Sequence, residues 1–109
     1  MRILLCSLIA LTLASCANVQ VTKTSKGTYA STNPNFVEVL KTRPERSYEE
    51  LGAVDAMGFG PSEIAKMHNG LRAKASTLGA NAVIITDEGL INDGWAITRF
   101  ASGVAIRYK

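Results

Sequence analysis

The distribution of apolar and polar positions divides the chain into three parts. Residues 3–14 are almost all apolar, residues 18–35 are rich in Thr, Ser and Asn, and residues 36–109 alternate between apolar and polar runs. These patterns are typical of a leader, an extended segment and a folded domain. A chain of 109 residues is long enough for one domain. We therefore predict a signal peptide over 1–15, a tether over 16–35 and one domain over 36–109.

Residues 62–78 carry the clearest helical pattern. Their apolar positions recur every three or four residues and so form one stripe on a helix: Ile64, Met67, Leu71, Ala75 and Leu78. Gly79 follows directly and suits the left-handed conformation that ends many helices. Gly70 lies mid-helix, where it costs about 1 kcal/mol relative to Ala. It indicates either a close approach to a sheet or a kink.

Four β-type segments surround this predicted helix. Two precede it, at Phe36–Leu40 and from about Leu51 to Met57. The β-branched run within Ala80–Thr86 follows it and is typical of a strand buried on both faces. Glu88–Gly94 is predicted to be a loop with Asn-Asp-Gly turn chemistry, and Trp95–Lys109 a strand with one packed face. The order β-β-α-β-β predicts an α+β fold in which one helix packs on a small, mainly antiparallel sheet.

Residues 18–35 contain no Leu, Ile or Phe, and this composition favours a plain spacer. Val19 and Val21 alternate with polar neighbours, so a short edge strand remains an alternative. Tyr29 lies in the same segment and has no obvious core to enter. Trp95 is expected to pack in the core of the domain because of its size, with a contact to a partner protein as the alternative.

The amino terminus combines a positive start with a short apolar core. Arg2 precedes about 12 mainly apolar residues, which suit the h-region of a signal peptide and are too few to cross a bilayer. Leu13-Ala14-Ser15-Cys16 follows and resembles the bacterial lipobox. In that motif a transferase attaches diacylglycerol to the thiol, and a peptidase that needs small side chains cuts before the cysteine. We predict cleavage between Ser15 and Cys16 and lipidation of Cys16.

Two other interpretations of the leader remain. Cleavage after Ala17 would release a soluble secreted protein, and an uncleaved leader would be a short anchor. Lipidation implies diacylglycerol and, in many bacteria, a further acyl chain such as palmitate, and two or more chains hold a protein stably. Ala17 rather than Asp follows the cysteine. By the sorting rule of bacteria with two membranes, this implies the outer membrane with the domain facing the periplasm; with one membrane, its outer face is implied.

The remaining chemistry of the chain is sparse. Cys6 would leave with the signal peptide and Cys16 would be alkylated, so neither a free thiol nor a disulfide is expected. His68 is the one histidine, and we expect it to be hydrogen-bonded at the edge of the core rather than to bind a metal. Three carboxylates lack the spacing of an EF-hand and are expected in a solvated loop: Asp87, Glu88 and Asp93. We predict no metal site and no cofactor.

Catalysis and nucleic-acid binding are not expected either. No serine lies in a strand–turn–helix elbow, and the adjacent Glu49 and Glu50 would point to opposite faces of a strand. Gly58-Phe59-Gly60 precedes the helix, but Glu63 stands where a dinucleotide-binding loop needs its third glycine. The net charge is +3, and the basic residues are scattered rather than gathered into a stripe. We predict a protein that is not an enzyme and binds no nucleic acid.

Three stretches resemble a superfamily of small α+β domains: YEELGAV at Tyr48–Val54, LRAKASTLGANAVIITDEG at Leu71–Gly89 and SGVAI at Ser102–Ile106. One branch is the outer-membrane lipoprotein that senses envelope stress for the Rcs phosphorelay. A second comprises small lipoproteins of unknown function, and a third is a lipid-free family labelled heavy-metal-binding that forms ring-like oligomers. The stress sensor is distinguished by disulfides in this domain, whereas residues 36–109 of this chain contain no cysteine. The resemblance therefore favours the uncharacterised lipoprotein branch.

The resemblance implies a lipid-anchored envelope interaction module, such as a sensor, adaptor or assembly accessory. Its partners would be the membrane, through the lipid on Cys16, and an unidentified envelope protein. The alternative is a metal- or small-ligand-binding lipoprotein that forms homo-oligomers. The central L-G-A-N-A-V motif also has a structural explanation. Gly79 ends the helix, Ala75 and Ala82 let the helix approach the sheet, and Asn81 bonds the turn backbone.

Overall fold

The computed structural model describes residues 17–109. The predictions for the signal peptide, for cleavage between Ser15 and Cys16 and for lipidation of Cys16 lie outside these residues. The described residues form β1 (Asn18–Lys23), a 3-10 helix (Pro34–Phe36), β2 (Glu38–Leu40), β3 (Tyr48–Phe59), α1 (Ile64–Ser76), β4 (Ala82–Asn92) and β5 (Ile97–Tyr108). Within residues 17–109, no helix has both the length and the apolar character that crossing a bilayer requires.

All five strands belong to one sheet, in the order β1-β3-β5-β4-β2. Neighbouring strands are antiparallel except β2 and β4, which run parallel with Glu38 opposite Ala82 and Leu40 opposite Ile84. Helix α1 connects β3 to β4 and packs on one face of the sheet. The predicted α+β fold, one helix on a mainly antiparallel sheet, is confirmed, with one strand more than the predicted order contained.

The additional strand is β1, at the edge of the sheet. Residues 18–23 were expected within a spacer, with an edge strand as the alternative, and they pair with β3 from Asn18 opposite Met57 to Lys23 opposite Gly52. Val19 and Val21 are half-buried against the core that α1 covers. The alternation of these two valines was therefore the informative signal, because it gives the strand one packed face.

The ends of the helix are close to the predicted ones, whereas several strand ends differ from the prediction. Phe36, predicted to begin a strand, instead ends a 3-10 helix that starts in the predicted tether at Pro34. Pro34 presets the first backbone angle of this helix, and the Asn33 side chain accepts a hydrogen bond from the Asn35 N–H. Strand β4 continues to Asn92, so the predicted loop over Glu88–Gly94 is wrong for residues 88–92. The turn itself is at Gly94, whose φ is 89°.

The main core lies between α1 and the sheet. Met67, Leu71 and Ala75 of the predicted stripe are fully buried there. A Cβ built on Gly70 would lie 2.8 Å from Cγ2 of Val19, so this glycine allows the helix to approach β1 closely. Gly79 has a φ of 84°, which confirms the predicted left-handed helix end.

A smaller apolar cluster occupies the other face of the sheet. Ala82, Ile84 and Ile106 are buried there, covered by Leu40, Tyr48, Val104 and Tyr108. Because side chains alternate between faces along a strand, Ala82 points away from α1, and its predicted role in helix–sheet contact is wrong. The Asn81 side chain accepts a hydrogen bond from the Tyr108 N–H at 2.9 Å, so it bonds the end of β5 rather than the turn.

Candidate interaction surfaces

The two ends of the sheet differ in chemistry. Ala17 lies at one end, where a Cβ built on Gly58 would be 3.5 Å from the Ala17 Cα. Phe59 at the end of β3 pairs with Arg99 of β5, and the β4–β5 hairpin continues beyond that pair. We call this end, which contains Ala17, residues 57–66 and the hairpin residues 90–99, the anchor end. The opposite end, around Asn81 and Tyr108, is the distal end.

The tip of the β4–β5 hairpin exposes large apolar side chains on both sides of a polar turn at Asn92-Asp93-Gly94. Four large side chains there face solvent: Leu90, Ile91, Trp95 and Ile97. Trp95 is 96% exposed, so its predicted packing in the core is wrong. From Arg99, level with the end of β3, to Ile97 the hairpin advances by roughly 7 Å. Trp95 therefore lies beyond the reach of the core between α1 and the sheet.

Hydrogen bonds within the turn fix the conformation around Trp95. One Asp93 carboxylate oxygen accepts hydrogen bonds from the N–H groups of Trp95 and Ala96, both at 2.9 Å. These bonds, the one from Ala96 foremost, hold the pKa of Asp93 below its ordinary value because they favour the charged carboxylate. The Asn92 side chain accepts a further bond from Gly94 N–H at 3.0 Å. The turn is thus ordered by its own polar groups while its indole ring is left in water.

A groove with a volume of about 480 Å³ lies beside Ala17 at the anchor end. Ala17, Phe59, Glu63 and Lys66 are among the residues that line it. Glu63 Oε1 accepts a hydrogen bond from Gly60 N–H at 2.7 Å, and this bond is the main reason why the pKa of Glu63 is lowered. The Gly60 N–H before α1 is therefore bonded to the Glu63 carboxylate, whereas in a dinucleotide-binding loop the N–H groups at this position bind phosphate.

A second groove, with a volume of about 530 Å³, lies between the 3-10 helix and α1 on the β2 edge, towards the distal end. We call it the Phe36 groove; it is lined by Pro34–Glu38, Asn69 and Arg72. The Phe36 side chain is 78% exposed. Arg72 Nε donates to the Val37 carbonyl at 3.0 Å and Nη1 to Asn69 Oδ1 at 2.6 Å. These bonds use two of the five N–H donors of a guanidinium group.

Sequence analysis did not find the Phe36 groove. Phe36 was predicted to begin a strand, and nothing in that prediction indicated an exposed aromatic side chain beside a groove. The Asn33-Pro34 dipeptide was the signal that a turn begins there.

His68 and Glu88 form a polar pair where α1 meets β4. His68 Nε2 is 3.1 Å from Glu88 Oε2, and Lys41 Nζ is 3.5 Å from Glu88 Oε1. The side chains of His68 and Glu88 are 17% and 20% exposed, which confirms the predicted hydrogen-bonded histidine at the core edge. The His68 bond, more than Lys41, lowers the pKa of Glu88. Glu88 thus fixes α1 to the sheet instead of lying in a solvated loop.

The three carboxylates considered as cation ligands are not brought together. Glu88 contacts α1, Asp87 pairs with Ser102, and Asp93 closes the hairpin turn. Among residues 17–109, no group of three or more His, Cys, Asp or Glu side chains is close enough to hold a metal ion.

Tyr29 fastens the segment before β2 to the distal end. Its hydroxyl donates to Glu49 Oε2, which raises the pKa of Tyr29, and the Arg107 guanidinium lies 4.5 Å from the centre of its ring. Arg107 Nη1 also donates to the Gly79 carbonyl at 3.2 Å. Glu49 and Glu50 pair with Arg107 and Ile106 respectively and so point to opposite faces, as predicted. Tyr29 therefore does have a packing site, supplied by β3 and β5.

Comparison with known proteins yields one informative similarity. No family model and no curated protein matches this chain. The structure is similar to the crystal structure of the Francisella virulence factor FvfA in its orthorhombic form, with a TM-score of 0.59 and 14% sequence identity. The match covers 82% of this chain and 97% of that one. At this identity the similarity establishes a shared fold, which extends over nearly the whole of FvfA.

Proposed function

We propose that this chain is a lipid-anchored interaction module of the bacterial envelope and performs no catalysis. The lipid on Cys16 holds the anchor end at the outer membrane, and the domain faces the periplasm, where the Phe36 groove binds an envelope protein. The proposal keeps the chain in the uncharacterised lipoprotein branch that its sequence resembles. The observation that carries it is Phe36, 78% exposed beside a groove on the half of the domain away from Ala17.

The chemistry of the Phe36 groove suits a protein segment as its ligand. An aromatic side chain carries roughly 150–250 Å² of surface, and apolar surface removed from water contributes about 25 cal/mol per Å². Covering Phe36 would therefore contribute on the order of 3 kcal/mol before the costs of association. Arg72 offers further N–H donors at the groove wall. The partner segment would thus supply an apolar side chain and a carbonyl or carboxylate oxygen.

The lipid part of the proposal rests on the lipobox and on simple energetics. A diacylglyceryl cysteine inserts two chains, at about 0.8 kcal/mol per buried methylene, and needs no help from the protein to remain bound. Mass measurement of the native protein tests this directly: fatty acids at Cys16 are expected, and an unmodified thiol would contradict the proposal. The variant Cys16→Ser should move from the membrane fraction to the aqueous fraction.

Site-specific photo-crosslinking in intact cells tests the groove. A photoreactive amino acid at the exposed Asn35 should trap an envelope protein, and the added change Phe36→Ala should abolish that product. The same probe at Thr22, exposed on the opposite edge of the sheet, is the matched control and should not give the product. Equal products from both positions, or a product that survives Phe36→Ala, would show that the groove is not the binding site.

A further inference from the structure

We propose that the apolar tip of the β4–β5 hairpin enters the headgroup region of the bilayer that holds the Cys16 lipid. The occupant of this surface is thus the membrane itself, which the protein would contact twice, through the lipid and through the tip. The inference rests on the proposed lipidation of Cys16 and adds the orientation of the domain.

The exposed hydrophobic side chains are distributed very unevenly. Within the described part of the chain, seven large hydrophobic residues are exposed, and only Phe36 lies away from the anchor end. The other six are gathered at the anchor end: Met57, Ile64, Leu90, Ile91, Trp95 and Ile97. Single exposed hydrophobic residues are normal on a soluble surface, whereas clustered ones mark a contact with a partner or a membrane.

The position of Ala17 connects this cluster to the membrane. Ala17 immediately follows Cys16, and Asn18 is already paired with Met57 of β3. Because β3 lies between β1 and β5, Asn18 lies roughly 10 Å across the sheet from β5, at a strand spacing of about 4.8 Å, and the proposed lipid would be attached two residues before Asn18. The hairpin then extends past the end of β3, by roughly 7 Å from Arg99 to Ile97 alone. A bilayer that holds the acyl chains is therefore within reach of the tip.

The residue types at the tip suit the headgroup region of a bilayer. Tryptophan is enriched at membrane–water interfaces because its ring is largely apolar and its N–H can donate a hydrogen bond. Leu90, Ile91 and Ile97 add aliphatic surface on both faces of the hairpin. Arg99, one step behind the tip, uses Nε to bond the Pro61 carbonyl at 2.9 Å, and its other donors suit lipid phosphates. Ile91, Trp95 and Ile97 therefore lie closer to the hairpin tip than Arg99, which is paired with Leu90.

Trp95 is the one tryptophan of the chain, so its fluorescence reports on the tip alone. The full lipoprotein, with its lipid verified by mass, is reconstituted into vesicles of phosphatidylethanolamine and phosphatidylglycerol. We expect emission to shift to shorter wavelength relative to detergent-free Cys16→Ser protein in buffer, and brominated lipids to reduce its intensity. The matched control moves the reporter: Trp95→Phe combined with Phe36→Trp should keep a water-like emission without quenching in the same vesicles.

The possible outcomes distinguish the tip inference from the proposed lipid anchor. Vesicle-bound lipoprotein whose Trp95 keeps a water-like, unquenched emission overturns the tip inference and leaves the lipid anchor intact. A free thiol at Cys16 overturns the proposed function and the tip inference together. A shift of Trp95 emission that requires added envelope protein and is absent with lipid alone overturns the membrane as the occupant. Equal quenching at positions 95 and 36 likewise overturns the proposed orientation.

Discussion

Substitution of Gly70 by alanine tests how closely α1 packs on β1. The added Cβ would lie 2.8 Å from Cγ2 of Val19, whereas its next neighbours, Cβ of Val19 and Cζ of Phe59, would be at 3.8 and 3.9 Å. One methyl group therefore causes the whole conflict. Carbon atoms in favourable contact are roughly 3.5–4.0 Å apart, so either Val19 or the helix must move.

Two opposing effects determine the size of the change. Alanine raises helix propensity by about 1 kcal/mol relative to glycine. Overpacking in a well-packed core costs typically about 1–3 kcal/mol. Because the valine side chain is stiff at χ1, we expect overpacking to dominate and Gly70→Ala to lower the free energy of unfolding by about 1 kcal/mol.

Removal of the obstructing methyl group should reverse the sign. In a Val19→Ala background the nearest remaining side-chain atom of residue 19 is at ordinary contact distance, so Gly70→Ala should there raise the free energy of unfolding by about 1 kcal/mol. The coupling between the two positions would then be about 2 kcal/mol, within the range of directly contacting residues. The assay is urea unfolding of the Cys16→Ser protein, followed by far-ultraviolet circular dichroism because Trp95 is too exposed to report on folding.

Ala73→Gly provides the calibration, since residue 73 is exposed on the same helix and should lose about 1 kcal/mol from propensity alone. If Gly70→Ala stabilises the protein equally with Val19 present and in the Val19→Ala background, the helix does not meet β1 closely. Residues 18–23 would then behave as a spacer rather than as a packed strand.

Three further predictions concern single contacts. Glu88→Gln should lower the free energy of unfolding by about 1 kcal/mol near neutral pH. Because the pKa of Glu88 is lowered in the folded protein, the charged carboxylate stabilises the fold fully above its unfolded pKa and loses this effect as the pH falls through its folded pKa. In urea unfolding the difference in stability between wild type and variant should therefore disappear in acid, and a difference independent of pH would refute the role of the charge. Gly79→Ala should lower the free energy of unfolding by about 2–3 kcal/mol, because the φ of residue 79 is 84° and the added Cβ would lie 2.6 Å from Cβ of Tyr29. A smaller loss than that of Ala73→Gly would argue against the left-handed helix end. Tyr29→Phe removes the hydroxyl that bonds Glu49 and should speed proteolytic cleavage within residues 24–33, with Tyr48→Phe as the control that leaves the rate unchanged.

The sequence predicted those features that depend on a buried face. The stripe of Met67, Leu71 and Ala75 and the glycine at position 79 located the helix, because burial and a left-handed stop leave strong local signals. The pairing of β2 parallel to β4 could not be read from three strand residues, Glu38–Leu40. Register and neighbour choice are properties of the assembled sheet, so a single short run does not encode them.

The candidate surfaces were harder to predict because their exposed apolar residues do not follow the periodic pattern by which a buried face is recognised in a sequence. Residues 90–92 are exposed and extend β4 beyond its contact with the helix at Glu88, so no packed face imposes an alternation of apolar and polar residues there. Trp95 was expected to be buried because of its size, and Phe36 was expected to begin a strand. Trp95 is instead exposed, and Phe36 is exposed at the end of a 3-10 helix. A large aromatic residue directly after an Asn-Asp-Gly turn is a signal for a projecting hairpin that the sequence did contain.

The strand β1 begins only two residues after Cys16, and this limits the working radius of the domain. A flexible coil of 18 residues would have placed the domain at a mean distance of roughly 25 Å from its attachment point. With Cys16 lipidated as proposed, only Ala17 stands between the lipidated residue and Asn18, the first residue paired in the sheet, so the attachment point is at most about 7 Å from the sheet. The domain would therefore stay close to the surface of its own leaflet, and a partner protein would have to bind it there.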